Sequence, residues 1–445
     1  MLPASIACFF SQAGGGLLSF YFAHYPVRDD QAAGLLGMSS LVRFPWHELP
    51  TEVQDLVLSH TTPELLQTCL CVSRSFKARS RMQGRALRPT AMPPNGLLSF
   101  PAVENLDLSR APRVTDEALL GFLCHPNGEV THKLTRLVLK RAKALGNASF
   151  NIIARTRTLH SLNLALCYGL DDHNLNIIAK GLPLLEDLNI RRCHKVTDAG
   201  IEALAPQCTG LTSLNVSCCS SRMGDASAQA IAAHLTKLVR LKADGMALLT
   251  DEGVALLAKG LTSLQLLSVD RLQRRAPHTT KLTKESLMRI ADGLPHLRHL
   301  RINVQNLTDG VCGDEMVIPE QVNRGLAAIS TQLKHLQHLV LFKAGGLGDA
   351  SISTVGSILD LQHLVLHEAA SVTDLGIQQL VANMIEQNEG GSLTHLELNR
   401  CPLISRNAIA SLAQLRRLHV LRLVALCPDT LWGITALAAT AVPLR

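Results

Sequence analysis

The sequence predicts an α/β solenoid, a horseshoe of about twelve strand-helix coils preceded by a small all-α domain. Three observations carry that reading: a leucine pattern that recurs along three quarters of the chain, a length too great for one core, and a composition poor in aromatics and charge. Single hydrophobic cores stop growing at about 250 to 300 residues, and this chain has 445. Aromatic residues are 3% and charged residues 18%, below the usual charged share of about a quarter. A core built from one repeated small aliphatic unit fits those figures better than a varied globular interior.

The pattern is L-x-x-L-x-L. It opens at Val103/Leu106/Leu108 and Leu134/Leu137/Leu139, and continues through Leu159/Leu162/Leu164, Leu185/Leu188/Ile190, Leu211/Leu214/Val216 and Leu238/Leu241/Ala243. Leu264/Leu267/Val269, Leu297/Leu300/Ile302, Leu336/Leu339/Leu341, Leu361/Leu364/Leu366, Leu393/Leu396/Leu398 and Leu418/Leu421/Leu423 complete it. Successive first positions mostly lie 25 to 27 residues apart, the length of one strand plus one helix per coil. Side chains alternate along a strand, so the second and third apolar positions share the inward side and the residue between them faces out.

Three residues beyond eight of the strand cores the chain carries a small residue: Cys167, Cys193, Cys219 and Cys401, or Ala111, Ala142, Ala344 and Ala369. A small inward side chain is wanted where the coil turns beneath its neighbour. Val114-Thr115-Asp116, Val196-Thr197-Asp198, Leu249-Thr250-Asp251 and Val372-Thr373-Asp374 then precede apolar helical runs, so Thr or Asp is expected to cap each helix start. Gly200, Gly253 and Gly376 follow in register and suit close approach of adjacent coils. The unit from Leu185 to Ile201, with Cys193, Val196, Thr197, Asp198 and Gly200, resembles the cysteine-containing class of leucine-rich repeat. The resemblance covers about 103–440, with insertions at 271–281, 303–333 and 383–392.

Residues 44–79 depart from the repeat. They contain Leu49-Pro50-Thr51-Glu52-Val53, then Leu56-Val57, then Pro63-Glu64-Leu65-Leu66, then Val72-Ser73-Arg74-Ser75-Phe76. Pro50 and Pro63 suit helix starts, Glu52 complements the positive helix end, and Val53, Leu56 and Val57 form a stripe. Three such short helices bury little on their own, which leaves an apolar face for a partner. The segment resembles an F-box, with Phe76 where that family usually has Trp. The resemblance implies docking to a Skp-family adaptor and through it to a cullin, with Leu49, Pro50, Val53, Leu56, Val57, Leu65, Leu66, Val72 and Phe76 as contacts or supports. The competing reading is a helical cap that seals the first coil.

The expected organisation is therefore a poorly ordered leader at 1–43, an F-box-like helical domain at 44–85, a linker at 86–102 and the repeat solenoid at 103–445. The uncharged stretch 5–23 lacks a preceding basic residue and is broken by Gln12 and Gly14 to Gly16, which argues against a signal or membrane segment. Twelve cysteines, mostly at repeat positions, point to reduced thiols and a cytoplasmic or nuclear protein. The basic run Arg74, Lys77, Arg79, Arg81, Arg85 and Arg88 has only Phe76 for stacking, so nucleic acid is not an expected partner. The apolar end, Leu431-Trp432 to Leu437, has no evident polar cap.

No phosphate loop, Cys-x-x-Cys set or His-Glu-x-x-His occurs, so the expectation is a non-enzyme with no cofactor, no metal and no membrane contact. Its expected work is recognition of an unknown protein substrate on behalf of a ubiquitin ligase, or else scaffolding with no ligase connection. The strand face offers two candidate features. His299, His338, His363 and His395 precede the second leucine in four consecutive repeats, and strands about 4.8 Å apart would stack them. Such a ladder suits an acidic peptide, a pH response or a metal, while polar residues are also simply tolerated there. Val340, Phe342 and Val365 sit at outward positions held by Asn163, Asn189, Asn215 or charged groups in earlier repeats. They face either a ligand or the inserted segment carrying Met316, Val317 and Ile318.

Overall fold

The computed structural model describes residues 6–13, 17–24, 42–45, 86–87, 103–111, 114–124, 133–270, 282–304, 319–387 and 391–424. The chain divides into two compact units, Met1–Leu139 and Lys140–Arg445. The expected F-box contacts from Leu49 to Phe76, the insertion residues Met316 to Ile318 and the end segment 431–437 lie outside the described residues.

In the first unit, β1 (Ile6–Ala13), β2 (Leu17–His24) and β3 (Val42–Pro45) pair antiparallel in that order. These strands are the described part of the expected leader, and β3 also takes Phe44 and Pro45 from the edge of the expected helical domain. β4 (Ala86–Leu87), β5 (Asn105–Asp107) and β6 (Arg136–Val138) run parallel, with Leu87 opposite Leu106 and Leu106 opposite Leu137. The expected linker thus contributes a strand ahead of the first leucine repeat. Helix α1 (Asp116–Leu123) connects β5 to β6 and buries Leu119, Phe122 and Leu123. Its N-cap is Thr115, whose hydroxyl accepts from the Ala118 amide at 3.3 Å.

The second unit is a leucine-rich-repeat solenoid of consecutive parallel strands, each followed by a helix except the last described one. It begins with β7 (Ser161–Asn163), β8 (Asp187–Asn189), β9 (Ser213–Asn215), β10 (Arg240–Lys242) and β11 (Leu266–Val269). It continues with β12 (His299–Asn303), β13 (His338–Phe342), β14 (His363–His367), β15 (His395–Asn399) and β16 (Val420–Val424). The second leucines form one unbroken row, Leu162 opposite Leu188, Leu188 opposite Leu214, and so on to Leu396 opposite Leu421. From Leu162 to Leu396 they are buried, as are the first-position leucines from Leu159 to Leu418. The core is thus the stacked aliphatic interior that the sequence pattern predicts.

A left-handed residue ends the turn away from seven of these strands. Leu166, Arg192, Cys218, Lys343, Glu368 and Arg400 have φ between 53° and 65°, and Gly245 takes the same place at 82°. In the early coils the preceding Asn closes the turn: the Asn163, Asn189 and Asn215 side-chain oxygens each accept from the amide two residues on, at 3.1 Å. Asn tolerates this role because its short amide mimics a backbone turn. The inward Cys or Ala then follows.

Cys167, Cys193, Cys219 and Cys401 are buried thiols. Each of two also donates to the preceding coil, Cys193 Sγ to the Leu164 carbonyl at 3.2 Å and Cys219 Sγ to the Ile190 carbonyl at 3.1 Å. Burial pushes the Cys167 and Cys193 thiols up to about 12, far from the thiolate that reacts. Maleimide labelling of the native protein should therefore spare these four and, among the described cysteines, reach the half-buried Cys124 first; rapid labelling of the four would show that the inward register is wrong.

The Thr-Asp pairs do more than the expected capping. Thr250 caps the helix Asp251–Gly260 through the Glu252 amide at 3.2 Å, as expected. The first-residue aspartate of several helices, preceded by Thr or not, instead reaches forward into the following coil. Asp172, at the start of the helix Asp172–Gly181, accepts from the Thr197 amide and hydroxyl, both at 2.7 Å. Asp225, first residue of the helix Asp225–His234, accepts from Thr250 N at 2.8 Å and Thr250 Oγ1 at 2.6 Å. Asp251 serves Thr283 and Asp349 serves Thr373 in the same way, and Asp374 serves Ser405. The register glycines are explained by these carboxylates, since a methyl group at Gly200, Gly253 or Gly376 would strike the oxygen of Asp172, Asp225 or Asp349.

Candidate functional site

The strands that begin with histidine are also the longer ones, five residues each against three in β7 to β10. Longer pairing holds adjacent side chains in strict register, and His299, His338, His363 and His395 stand opposite one another. Their rings stack at centroid distances of 4.1, 4.0 and 4.0 Å with interplanar angles of 25°, 16° and 17°. The predicted ladder therefore exists as a geometric object. Among the described residues no group of three or more His, Cys, Asp or Glu is arranged to hold a metal ion. What stacked imidazoles can do by themselves is take up and release protons.

Burial lowers the His338 pKa to about 4, assisted by repulsion from His299, His363 and His395; burial also lowers His299 and His363. Arg298 and Lys242 add to the effect at His299. A histidine with a depressed folded pKa leaves the unfolded chain to take the proton first, so stability is present above the unfolded value of 6.5 and is lost as pH falls toward 4. Between pH 6.5 and about 5 ordinary carboxylates are still ionised, which isolates the imidazoles. The urea midpoint should fall across that window, and His338→Asn should flatten the fall; an unchanged slope in the variant would remove the ladder as its cause.

Beside the ladder, Val340 stands opposite Val365 and both are half-buried. In register they lie between Arg301 on β12 and Glu397 on β15. Phe342 is not an open apolar anchor. The Arg301 guanidinium lies over its ring at 4.5 Å, and the His367 ring stacks on it at 4.5 Å and 8°, one partner from each adjacent strand. Each contact of this kind is worth about 0.5 to 1.5 kcal/mol, so Phe342 is held by its own chain.

A polar path extends from that sandwich toward the early coils. Arg301 Nη2 donates to Asp270 Oδ2 at 2.9 Å. The Asp270 amide donates to Asp244 Oδ1 at 2.9 Å, Ser268 Oγ also donates to Oδ1, and Ser217 Oγ donates to Oδ2 at 3.1 Å. Asp244 and Asp270 are both buried, and buried charges of this kind persist because they are fully bonded. Above them opens a cleft of about 390 Å³ whose lining includes Arg191, Lys242, Leu266, His299, Arg301 and Val340. The candidate face thus reaches back to β8, well before the first histidine. Sequence reasoning singled out none of Arg191, Lys242, Asp244, Asp270, Arg301 or His367. The signal was present in the column that contains Phe342, where Asp244 and Asp270 follow Ala165, Arg191 and Ser217 of the earlier coils and lead toward Asn303 and Phe342.

A leucine-rich-repeat family model matches residues 181–205, the coil in which the consensus is most complete. Among solved structures, the chain is similar to one in the yeast complex of Rad7 and Elc1, with a TM-score of 0.55 and 18% identity over 88% of this chain and 86% of that one. It is also similar to an internalin, inlF of Listeria monocytogenes, with a TM-score of 0.46 and 16% identity over 88% and 92% of the two chains.

Proposed function

We propose that this leucine-rich-repeat protein is the substrate-recognition subunit of a Skp-cullin-F-box ubiquitin ligase, working in the cytoplasm or nucleus. The observation that carries the reading is the Leu49-Pro50-x-Glu52, Pro63-x-x-Leu65-Leu66 and Val72-x-Arg74-x-Phe76 series directly ahead of the array. On this reading the segment 44–79 docks the adaptor, and the strand face with its histidine ladder and cleft holds the target. The chain transfers no ubiquitin; it joins target and ligase through one polypeptide, so its contribution is proximity.

One observation favours the scaffold reading instead. Ala86–Leu87 already pair with the first repeat strand, as an end cap would require. Mixing the purified full chain with a recombinant Skp-family adaptor decides between them. Co-elution as a stable complex is expected for the ligase subunit, and separate elution at micromolar concentrations would leave the scaffold.

A further inference from the structure

We infer that the cleft between β8 and β13 is a binding site for an acidic peptide segment of a partner protein, an anionic side chain entering between Arg191, Lys242 and Arg301 while an aliphatic neighbour rests on Leu266 and Val340. This rests on the recognition role proposed above and specifies the chemistry of what is recognised.

The cleft carries a positive excess, with Arg191, Lys242 and Arg301 lining it against Asp244 in the lining and Asp270 paired to Arg301. Both oxygens of Asp244 already accept from Ser217, Ser268 and the Asp270 amide, and Asp270 accepts from Arg301. Asp187, the acid on the outward face of β8, takes the Ser161 hydroxyl at 3.0 Å. Those carboxylates are committed as acceptors. Arg191 and Lys242 are exposed, and among the described residues neither has an acidic side chain within ion-pair distance. Strong donors therefore face the opening, and the complementary ligand is an anion.

The apolar component has its own placement. Leu266 occupies the column that Arg240 and His299 fill on the adjacent strands, and it is half-buried where an inward leucine would be sealed. Val340 lies opposite Arg301, so aliphatic and cationic groups are neighbours across the strands. An extended chain with acidic and aliphatic side chains matches that pairing. A nucleic acid would need open aromatic faces for base stacking, and the rings at or beside the cleft are already stacked, His299 on His338 and Phe342 between Arg301 and His367.

The test is panning of a random dodecapeptide phage library on the full chain. The expected outcome is enrichment of peptides with Asp or Glu beside Leu, Ile or Val. A synthetic copy of an enriched peptide should lose at least about tenfold in affinity with Lys242→Glu, and should weaken as salt rises. Lys242→Arg should retain binding, and because residue 242 is exposed the array should fold in both variants, as circular dichroism can check. Absence of enrichment, enrichment without acidic residues, or indifference to Lys242→Glu would each overturn the site. Displacement of the peptide by poly(U) RNA would assign the cleft to nucleic acid instead. Adaptor co-elution is measured on the same variants and should not change. If the peptides bind and the adaptor does not, the ligase reading fails while the acidic-peptide site stands.

Discussion

Leu49→Ala combined with Pro50→Ala is expected to abolish adaptor capture while leaving the repeats folded. A docking surface made of a few apolar anchors concentrates its binding energy, and truncating one central anchor commonly costs about 2 kcal/mol or more. Loss of two adjacent anchors, one of which also presets a helix start, multiplies that to at least about a hundredfold in affinity. The circular-dichroism signal of the solenoid should be unaffected, because coils interact chiefly with their neighbours. Pull-down of the adaptor at wild-type yield by the double variant would dismiss the F-box resemblance and leave the segment as a cap.

Asp225→Ala is expected to destabilise the array by about 2 to 4 kcal/mol. The carboxylate accepts from both the amide and the hydroxyl of Thr250, and charge-assisted hydrogen bonds are roughly twice as strong as neutral ones. Its removal leaves partly buried donors without an acceptor, which is the costly case. Gly253→Ala supplies a test of sign. Alanine for glycine within a helix normally stabilises by up to about 1 kcal/mol, but here the added methyl meets the Asp225 carboxylate and the substitution should destabilise. In the Asp225→Ala background only the flexible end of Leu249, at 2.7 Å, still meets the methyl, so the same substitution should cost clearly less than in the wild-type chain. Urea unfolding of the four proteins in this cycle reads the coupling directly, and additive losses would show that the bridge and the glycine are independent.

The repeat frame was legible in the sequence because one physical requirement, an inward aliphatic every second strand residue, is imposed anew in each coil. Spacing alone sets Leu188, Leu214 and Leu241 in register, and their rows coincide with the observed pairing. The histidine stack was legible for the same reason, as an outward column read at fixed offset. The forward reach of Asp172 or Asp225 was not. Within one repeat an aspartate at a helix start looks like a local cap, and only the pitch of the coils brings the carboxylate to the next threonine. Nor was the occupation of Phe342 by Arg301 and His367 visible, because cross-strand ring contacts depend on side-chain conformations that spacing does not specify. The cleft is a third kind of case: its residues come from strands spread over more than a hundred residues of chain, and no short motif contains them.

The aspartate-threonine bridges also bear on how such an array can lengthen. The partners stand 24, 25 or 32 residues apart, and 31 in the equivalent Asp374–Ser405 pair, about one coil, yet the bond lengths stay within a few tenths of an ångström. A loop inserted between them therefore need not disturb the joint, as the segment 271–281 between Asp251 and Thr283 illustrates. Because donor and acceptor are offset by a single period, a tandem duplication of one period regenerates the joint wherever its breakpoints fall: each copied aspartate meets a threonine, old or new. The lineage can thus gain coils, and diversify the outward columns they carry, without having to reinvent the fastening between them.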